Sequence, residues 1–184
     1  MRHLVLVIVL LTGMSVPAAA EVQLFAAEKL VEAVVYNDYD LVQSLLARGH
    51  NPDAVDKHGR SALIVAATAG NEDMVELILQ HRANPDKRDK TGNSALAYAA
   101  ARGHIGVAEV LLEKRADINI ENRQGMTPLM MAASEGRTGI LHLLLERKAE
   151  TDVRDYTGRT AMMWAKRAGK RRAIRVLRDA GVRE

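Results

Sequence analysis

Along most of the chain, short apolar runs alternate with polar clusters that contain glycine, and the alternation is periodic. Leu63, Leu96, Leu129 and Met162 stand 33 residues apart, and so do Ala66, Ala99, Ala132 and Ala165. Polar columns keep the same step: Asp56, Asp89, Asn122 and Asp155; Gly59, Gly92, Gly125 and Gly158; Gly70, Gly103, Gly136 and Gly169. Five columns in one register define a repeated unit, and a period of this length signals a solenoid. Each unit holds two stretches with apolar residues at helical spacing. The first is short and built on Ala66-Ala67 or its equivalents; the second is longer, as in Val75-Glu76-Leu77-Ile78-Leu79. The pattern therefore predicts turn, helix, turn, helix in every unit, and an all-α helical solenoid as the fold class.

The invariant positions have local physical reasons. Asp or Asn followed three residues later by Gly makes a tight turn, because the carboxylate or amide bonds its own backbone and Gly accepts positive φ. Ser61, Ser94, Thr127 and Thr160 follow where a hydroxyl can cap a helix N-terminus. Pro128 falls at the first helical position, where its missing N–H costs nothing. The glycines at 70, 103, 136 and 169 end the first helix as left-handed caps. The units run over residues 56–88, 89–121, 122–154 and 155–184. A degenerate unit over about 21–55 keeps the register without an opening turn, with Leu30 aligned to Leu63 and Ala33 to Ala66. That makes about five repeats in one domain, 21–184. End units of such a stack need a polar outer side. Arg178 stands in the column that Leu46, Leu79, Leu112 and Leu145 fill, which reads as a C-terminal cap.

The segments Thr127-Pro128-Leu129 with Ala132-Ala133, Gly103-His104 with Leu111-Leu112, and Ala116-Asp117-Ile118-Asn119 resemble the ankyrin repeat. The resemblance covers nearly all of residues 21–184. It implies two antiparallel helices and a hairpin-like turn per repeat, and a role in binding proteins through the turn tips and first helices. Two departures stand out. Where the family favours a histidine after Thr-Pro-Leu, this chain has Ile64, Ala97, Met130 and Met163, and one repeat alone keeps the proline.

Residues 1–20 fall outside the period. Met1-Arg2-His3 is followed by an apolar run over Leu4–Leu11 and by Val16-Pro17-Ala18-Ala19-Ala20, the three-part pattern of a secretory signal peptide cleaved near Ala20. A periplasmic or secreted location is therefore expected. The apolar run is short for the ~30 Å hydrocarbon core of a bilayer, so no stable membrane insertion is expected. With this segment, the chain is similar to small exported bacterial ankyrin-repeat proteins, and that likeness implies a cell-envelope partner such as a cell-wall hydrolase or an oxidative-defence enzyme.

Composition narrows the chemistry. The absence of cysteine excludes disulfides, thiolate metal sites and a cysteine nucleophile. Aromatic residues make up only 3% of the chain, which disfavours a sheet sandwich. No nucleophile elbow, zinc-binding His-Glu-x-x-His, phosphate loop or dinucleotide fingerprint occurs. No catalytic, cofactor-binding or metal site is expected. His104 follows Gly103 at a family position and reads as structural, and His58 as an exposed turn residue.

The register also locates the expected binding face. Its turn tips are Lys57, His58 and Arg60; Lys90, Thr91 and Asn93; Arg123, Gln124 and Met126; Tyr156, Thr157 and Arg159. The two residues before each helix-ending glycine add Thr68, Ala69, Ala101, Arg102, Ser134, Glu135, Arg167 and Ala168, and the residues before each turn add Val55, Arg88, Glu121 and Arg154. Nine of these are basic and two acidic, a net +7, whereas residues 21–184 carry only +2 in total. The face is thus expected to attract an acidic protein surface. Tyr98 and Trp164 share a column with Val65 and Met131, and with Tyr156 they could form an apolar centre ringed by arginines; packing between repeats is the competing role. The partner-binding set is Lys57, His58, Arg60, Lys90, Thr91, Asn93, Arg102, Arg123, Gln124, Met126, Tyr156, Arg159 and Arg167. A monomer with a protein partner and no nucleic acid is the expected state. Two other readings stand beside it: anionic lipid or polyanion binding through the basic residues of 166–184, and a secreted effector that binds host proteins.

Overall fold

The computed structural model describes residues 28–182. The signal-peptide pattern and the start of the first repeat lie outside them. Ten helices occur among the described residues: α1 over 28–35, α2 Tyr39–Ala47, α3 Ala62–Ala69, α4 Glu72–Gln80, α5 Ala95–Arg102, α6 Ile105–Glu113, α7 Pro128–Glu135, α8 Thr138–Glu146, α9 Ala161–Arg167 and α10 Arg171–Asp179. They pair as predicted, two to a repeat. The odd-numbered helices from α3 to α9 stack in an inner row and the even-numbered ones in an outer row. No described helix is long and apolar enough to cross a membrane.

The inner helices begin where the hydroxyl columns fall. Ser61, Ser94, Thr127 and Thr160 accept a hydrogen bond from the backbone N–H three residues on, at 3.4, 3.2, 3.4 and 3.4 Å. All four are buried, and each such cap contributes about 1 kcal/mol. Pro128 occupies the first turn of α7. The alanines at 66, 67, 99, 100, 132 and 133 are fully buried, which lets neighbouring inner helices approach closely. Ile64, Ala97 and Met130 are buried as well, so apolar packing fills the positions where the family favours histidine.

Helix ends follow the glycine column. Gly70, Gly103 and Gly136 are left-handed caps, and Gly169 takes the same conformation (φ 66°) although α9 stops one residue sooner, at Arg167. In the first repeat Asn37 holds this column with φ 56°, as an Asx residue can. His104 packs its ring over Gly70 and places Nε2 3.2 Å from the Thr68 carbonyl, in agreement with a structural role.

Side chains also bond one repeat to the next in the outer loops. Asp53, Asp86 and Asn119 accept the backbone N–H of Asn84, Asp117 and Glu150 at 2.8, 2.8 and 3.0 Å. On the turn side, Arg123 N–H donates to the Thr91 carbonyl and Tyr156 N–H to the Gln124 carbonyl, 3.2 and 3.0 Å. Gly92 is where this stitching is tightest. Its φ is 83°, and a Cβ there would lie 2.6 Å from the Arg123 backbone nitrogen. Gly92→Ala is therefore expected to cost about 2 kcal/mol, from left-handed strain plus displacement of the next turn. Gly158, with a similar φ of 79° but open space around it, should cost about half as much on the same change. Urea denaturation of the two variants side by side measures the difference.

Candidate functional site

The binding face is built on four turns, each folded around one buried or half-buried carboxylate or amide. Asp56 Oδ1 accepts the N–H groups of His58 and Arg60, both at 2.9 Å. Asp89 Oδ1 accepts those of Thr91 and Asn93, Asn122 those of Gln124 and Met126, and Asp155 those of Thr157 and Arg159, all at 2.8–3.0 Å. One oxygen thus closes each turn and lifts the two residues before the glycine toward solvent. Lys57, His58, Lys90, Thr91, Arg123, Gln124, Tyr156 and Thr157 are all exposed at the tips, as the register predicts. Met126 is half-buried and packs on the core instead.

The second oxygen of each carboxylate has a different partner in each repeat. Asp56 Oδ2 forms an ion pair with the Arg60 guanidinium at 2.8 Å. Asp89 Oδ2 accepts the Tyr98 hydroxyl at 2.6 Å, and Asp155 Oδ2 the Trp164 indole N–H at 2.9 Å. Asn122 has an amide there, which donates to Asn93 Oδ1 at 2.9 Å. Tyr98 and Trp164 are therefore half-buried ties between a turn and the helix that follows it. They do not meet in one apolar centre with Tyr156, because α7, with Met131, lies between α5 and α9. Tyr156 itself lies against Gly125 of the preceding turn and remains exposed.

These carboxylates are strong acids for their surroundings. Burial pushes Asp56, Asp89 and Asp155 up, but the donors around each more than offset it and hold all three below the ordinary carboxylate value. For Asp56 those donors are the Arg60 N–H and guanidinium; for Asp89, Tyr98 and Thr91; for Asp155, Thr157 and the Arg159 N–H. Each group thus binds fewer protons folded than unfolded. The stability it contributes is complete above the unfolded value of about 4 and is lost as pH falls through the lower folded one. Urea midpoints are accordingly expected to drop between pH 5 and pH 3. Replacing the three aspartates by asparagine should flatten that drop.

The same carboxylates correct the charge of the face. Three negative charges beneath the tips reduce the +7 of the surface positions to a local +4. Most groove cations keep their charge unneutralised, because they donate to uncharged oxygen. Lys90 Nζ reaches the Lys57 carbonyl at 2.8 Å, Arg88 the Glu121 carbonyl at 3.0 Å and Arg154 the Gly158 carbonyl at 2.8 Å. Arg159 bonds the Thr157 hydroxyl and lies 5.4 Å over the Trp164 ring. Lys57, Arg102, Arg123 and Arg167 are exposed and make no side-chain hydrogen bond among the described residues.

A cavity of about 430 Å³ opens on this face, lined by Val34 and Val35 of α1, Ile64, Val65, Thr68 and Ala69 of α3, Tyr98 and Arg102 of α5, and Arg60. Its floor is aliphatic and its two cations stand at the rim. Val35 (57%) and Tyr36 (75%) are well exposed beside it, an unusual state for large apolar side chains. Beyond Val35, Glu28 and Glu32 face Lys57, His58 and Arg60 across a smaller recess, so the first repeat ends the basic stretch with an acidic corner. Val35 and Tyr36 were reachable from the sequence. They align with Thr68 and Ala69, two residues before the left-handed cap, but the first repeat has Asn37 in place of the marker glycine.

Residues 30–122 and 116–183 match the family model for ankyrin repeats, which describes three copies. The chain belongs to the ankyrin-repeat family. No curated protein matches it. Ankyrin repeats generally mediate protein–protein interaction and typically lack catalytic activity, and they bind protein partners. The departures of this ankyrin-repeat chain are thus confined to details: apolar residues in place of the histidine column, and turn carboxylates tied by three different side chains.

Proposed function

We propose that the chain is a non-catalytic binding module, exported from the cytoplasm, whose basic groove captures an acidic surface of a cell-envelope protein and protects, inhibits or assembles it. The observation that carries this reading is the cavity of about 430 Å³, with an aliphatic floor and with Arg60 and Arg102 at its rim. An apolar pocket with Arg102 at its rim, beside Arg60 paired to Asp56, suits a partner segment with one or two apolar side chains next to a carboxylate. The apolar contact then supplies affinity, and the charges supply approach rate and partner choice. Export rests on the signal-peptide pattern of residues 1–20, and it leaves nucleic acid a poor partner. Monomeric chains suit the exposed Lys57, Arg102, Arg123 and Arg167, whose like charges repel on self-contact of this face.

The test compares two baits in a cell-envelope extract at low salt: the native chain, and a variant with Lys57, Arg102, Arg123 and Arg167 changed to Glu. None of the four has a side-chain bond among the described residues, so circular dichroism should be unchanged. The expected result is a protein held by the native bait and absent from the reversed one. Equal retention on both baits would place binding elsewhere on the repeats.

A further inference from the structure

The outer side of the last helix carries a second cationic surface. Arg171, Arg172, Arg175 and Arg178 of α10 are all exposed, and none makes a side-chain hydrogen bond or ion pair among the described residues. At 3.6 residues per turn they share an arc of about 120° and extend ~10 Å along the helix. Asp179 is the one acidic residue on that arc. Ala173 and Leu177 are buried on the opposite side, and Ile174 and Val176 pack half-buried against the core. The next outer helix, α8, presents His142 and Glu146, with Arg147 as its C-cap.

The fold does not require these cations. Three periods earlier in the same columns, Glu72, Asp73 and Glu76 of α4 stand where α10 has Arg171, Arg172 and Arg175 (a step of 99 residues). Both sets are exposed, so the position tolerates either sign. The helix itself favours the acidic set, since its N-terminus carries partial positive charge. Lys170, Arg171 and Arg172 begin α10 against that preference, and no side chain caps it. A local rule broken in this way, with no compensating contact inside the fold, marks a surface selected for something outside it.

We propose that the arginine side of α10 docks the protein on the headgroups of an anionic membrane while the helix stays folded. A protein partner is the weaker fit, because interfaces need apolar or aromatic anchors and this side exposes none. A headgroup plane needs only spread charge, with each basic side chain contributing roughly fivefold in partitioning. The helix lies in the outer row and takes no part in lining the groove cavity, so membrane and groove partner can be held together. Tethering of this kind would raise the effective concentration of the chain near a cell-envelope partner.

The full chain is to be cosedimented with phosphatidylcholine vesicles, with and without phosphatidylglycerol. The readout is the gain that the anionic lipid produces, because any binding through the apolar run over Leu4–Leu11 is common to both kinds of vesicle. The native chain should show a large gain that high salt removes. Arg171→Glu, Arg172→Asp and Arg175→Glu together reproduce the α4 side chains, and should lower it by at least about 100-fold. Replacing the same three residues by lysine should keep the gain, since a headgroup plane reads charge rather than guanidinium geometry. No gain for the native chain overturns the proposal, as does an undiminished gain for the acidic variant. Binding to heparin or duplex DNA without any gain on anionic vesicles also overturns it and assigns the surface to polyanions.

Discussion

Asp155→Ala is expected to lower the stability of the fold by about 3 kcal/mol, because four donors lose one acceptor group at once. These are the N–H groups of Thr157 and Arg159, the Thr157 hydroxyl and the indole N–H of Trp164. The more telling comparison is with asparagine. Asn122 shows that an amide oxygen can close the turn, so Asp→Asn spares the Oδ1 bonds and alters only the second oxygen. In Asp89→Asn the new amide faces the Tyr98 hydroxyl, which can turn and accept. In Asp155→Asn it faces the Trp164 N–H, which can only donate. Asp89→Asn should therefore cost less than about 1 kcal/mol and Asp155→Asn about 2 kcal/mol. Urea denaturation followed by far-ultraviolet circular dichroism gives both values. Trp164 is the single tryptophan of the chain, so its emission reports the site directly. Equal costs for the two asparagine variants would mean that the indole bond contributes nothing.

Reversal of the groove is expected to act on a different quantity. Changing Lys57, Arg102, Arg123 and Arg167 to Glu should slow association with an acidic partner by about 100-fold, and added salt should erase the difference. Val35→Ala with Tyr36→Ala should leave the association rate nearly unchanged and speed dissociation by about tenfold, because the loss is apolar contact at the cavity rim. Surface plasmon resonance on the captured partner separates the two rates. An equal effect of both variants on the same rate would show that charge and apolar contact do not divide the work in this way. Arg60 is a poor choice for reversal. A glutamate there would face Asp56, whose carboxylate now holds the Arg60 guanidinium at 2.8 Å, and would unfold the turn before it tested the groove.

The repeat was legible because one physical demand returns at each step. A turn acceptor at 56, 89, 122 and 155, a capping hydroxyl five residues later and a left-handed glycine beyond it are local requirements, and each column shows its own chemistry. The ties from turn to helix were not legible, since position 98 or 164 is nine residues from its aspartate and the column reads Val65, Tyr98, Met131, Trp164. Only the folded turn brings oxygen and ring together. Contacts between repeats, such as Lys90 with the Lys57 carbonyl, depend on the spacing of the stack and leave no trace in composition. The surface columns alone overstate the positive charge of the face, because the turn aspartates also carry charge beneath the tips. Val35 and Tyr36 escaped notice for a plainer reason: asparagine at 37 does the work of a glycine without resembling one.

The central claim is that the partner lies over the inner helices. A photo-crosslinking side chain at Ala69, exposed at the wall of the cavity, tests it against the same group at Glu76, exposed on the outer row. After capture of the partner and irradiation, the Ala69 probe should yield the crosslinked pair and the Glu76 probe should not. A crosslink from Glu76 with none from Ala69 would contradict the account and move the interface to the outer helices.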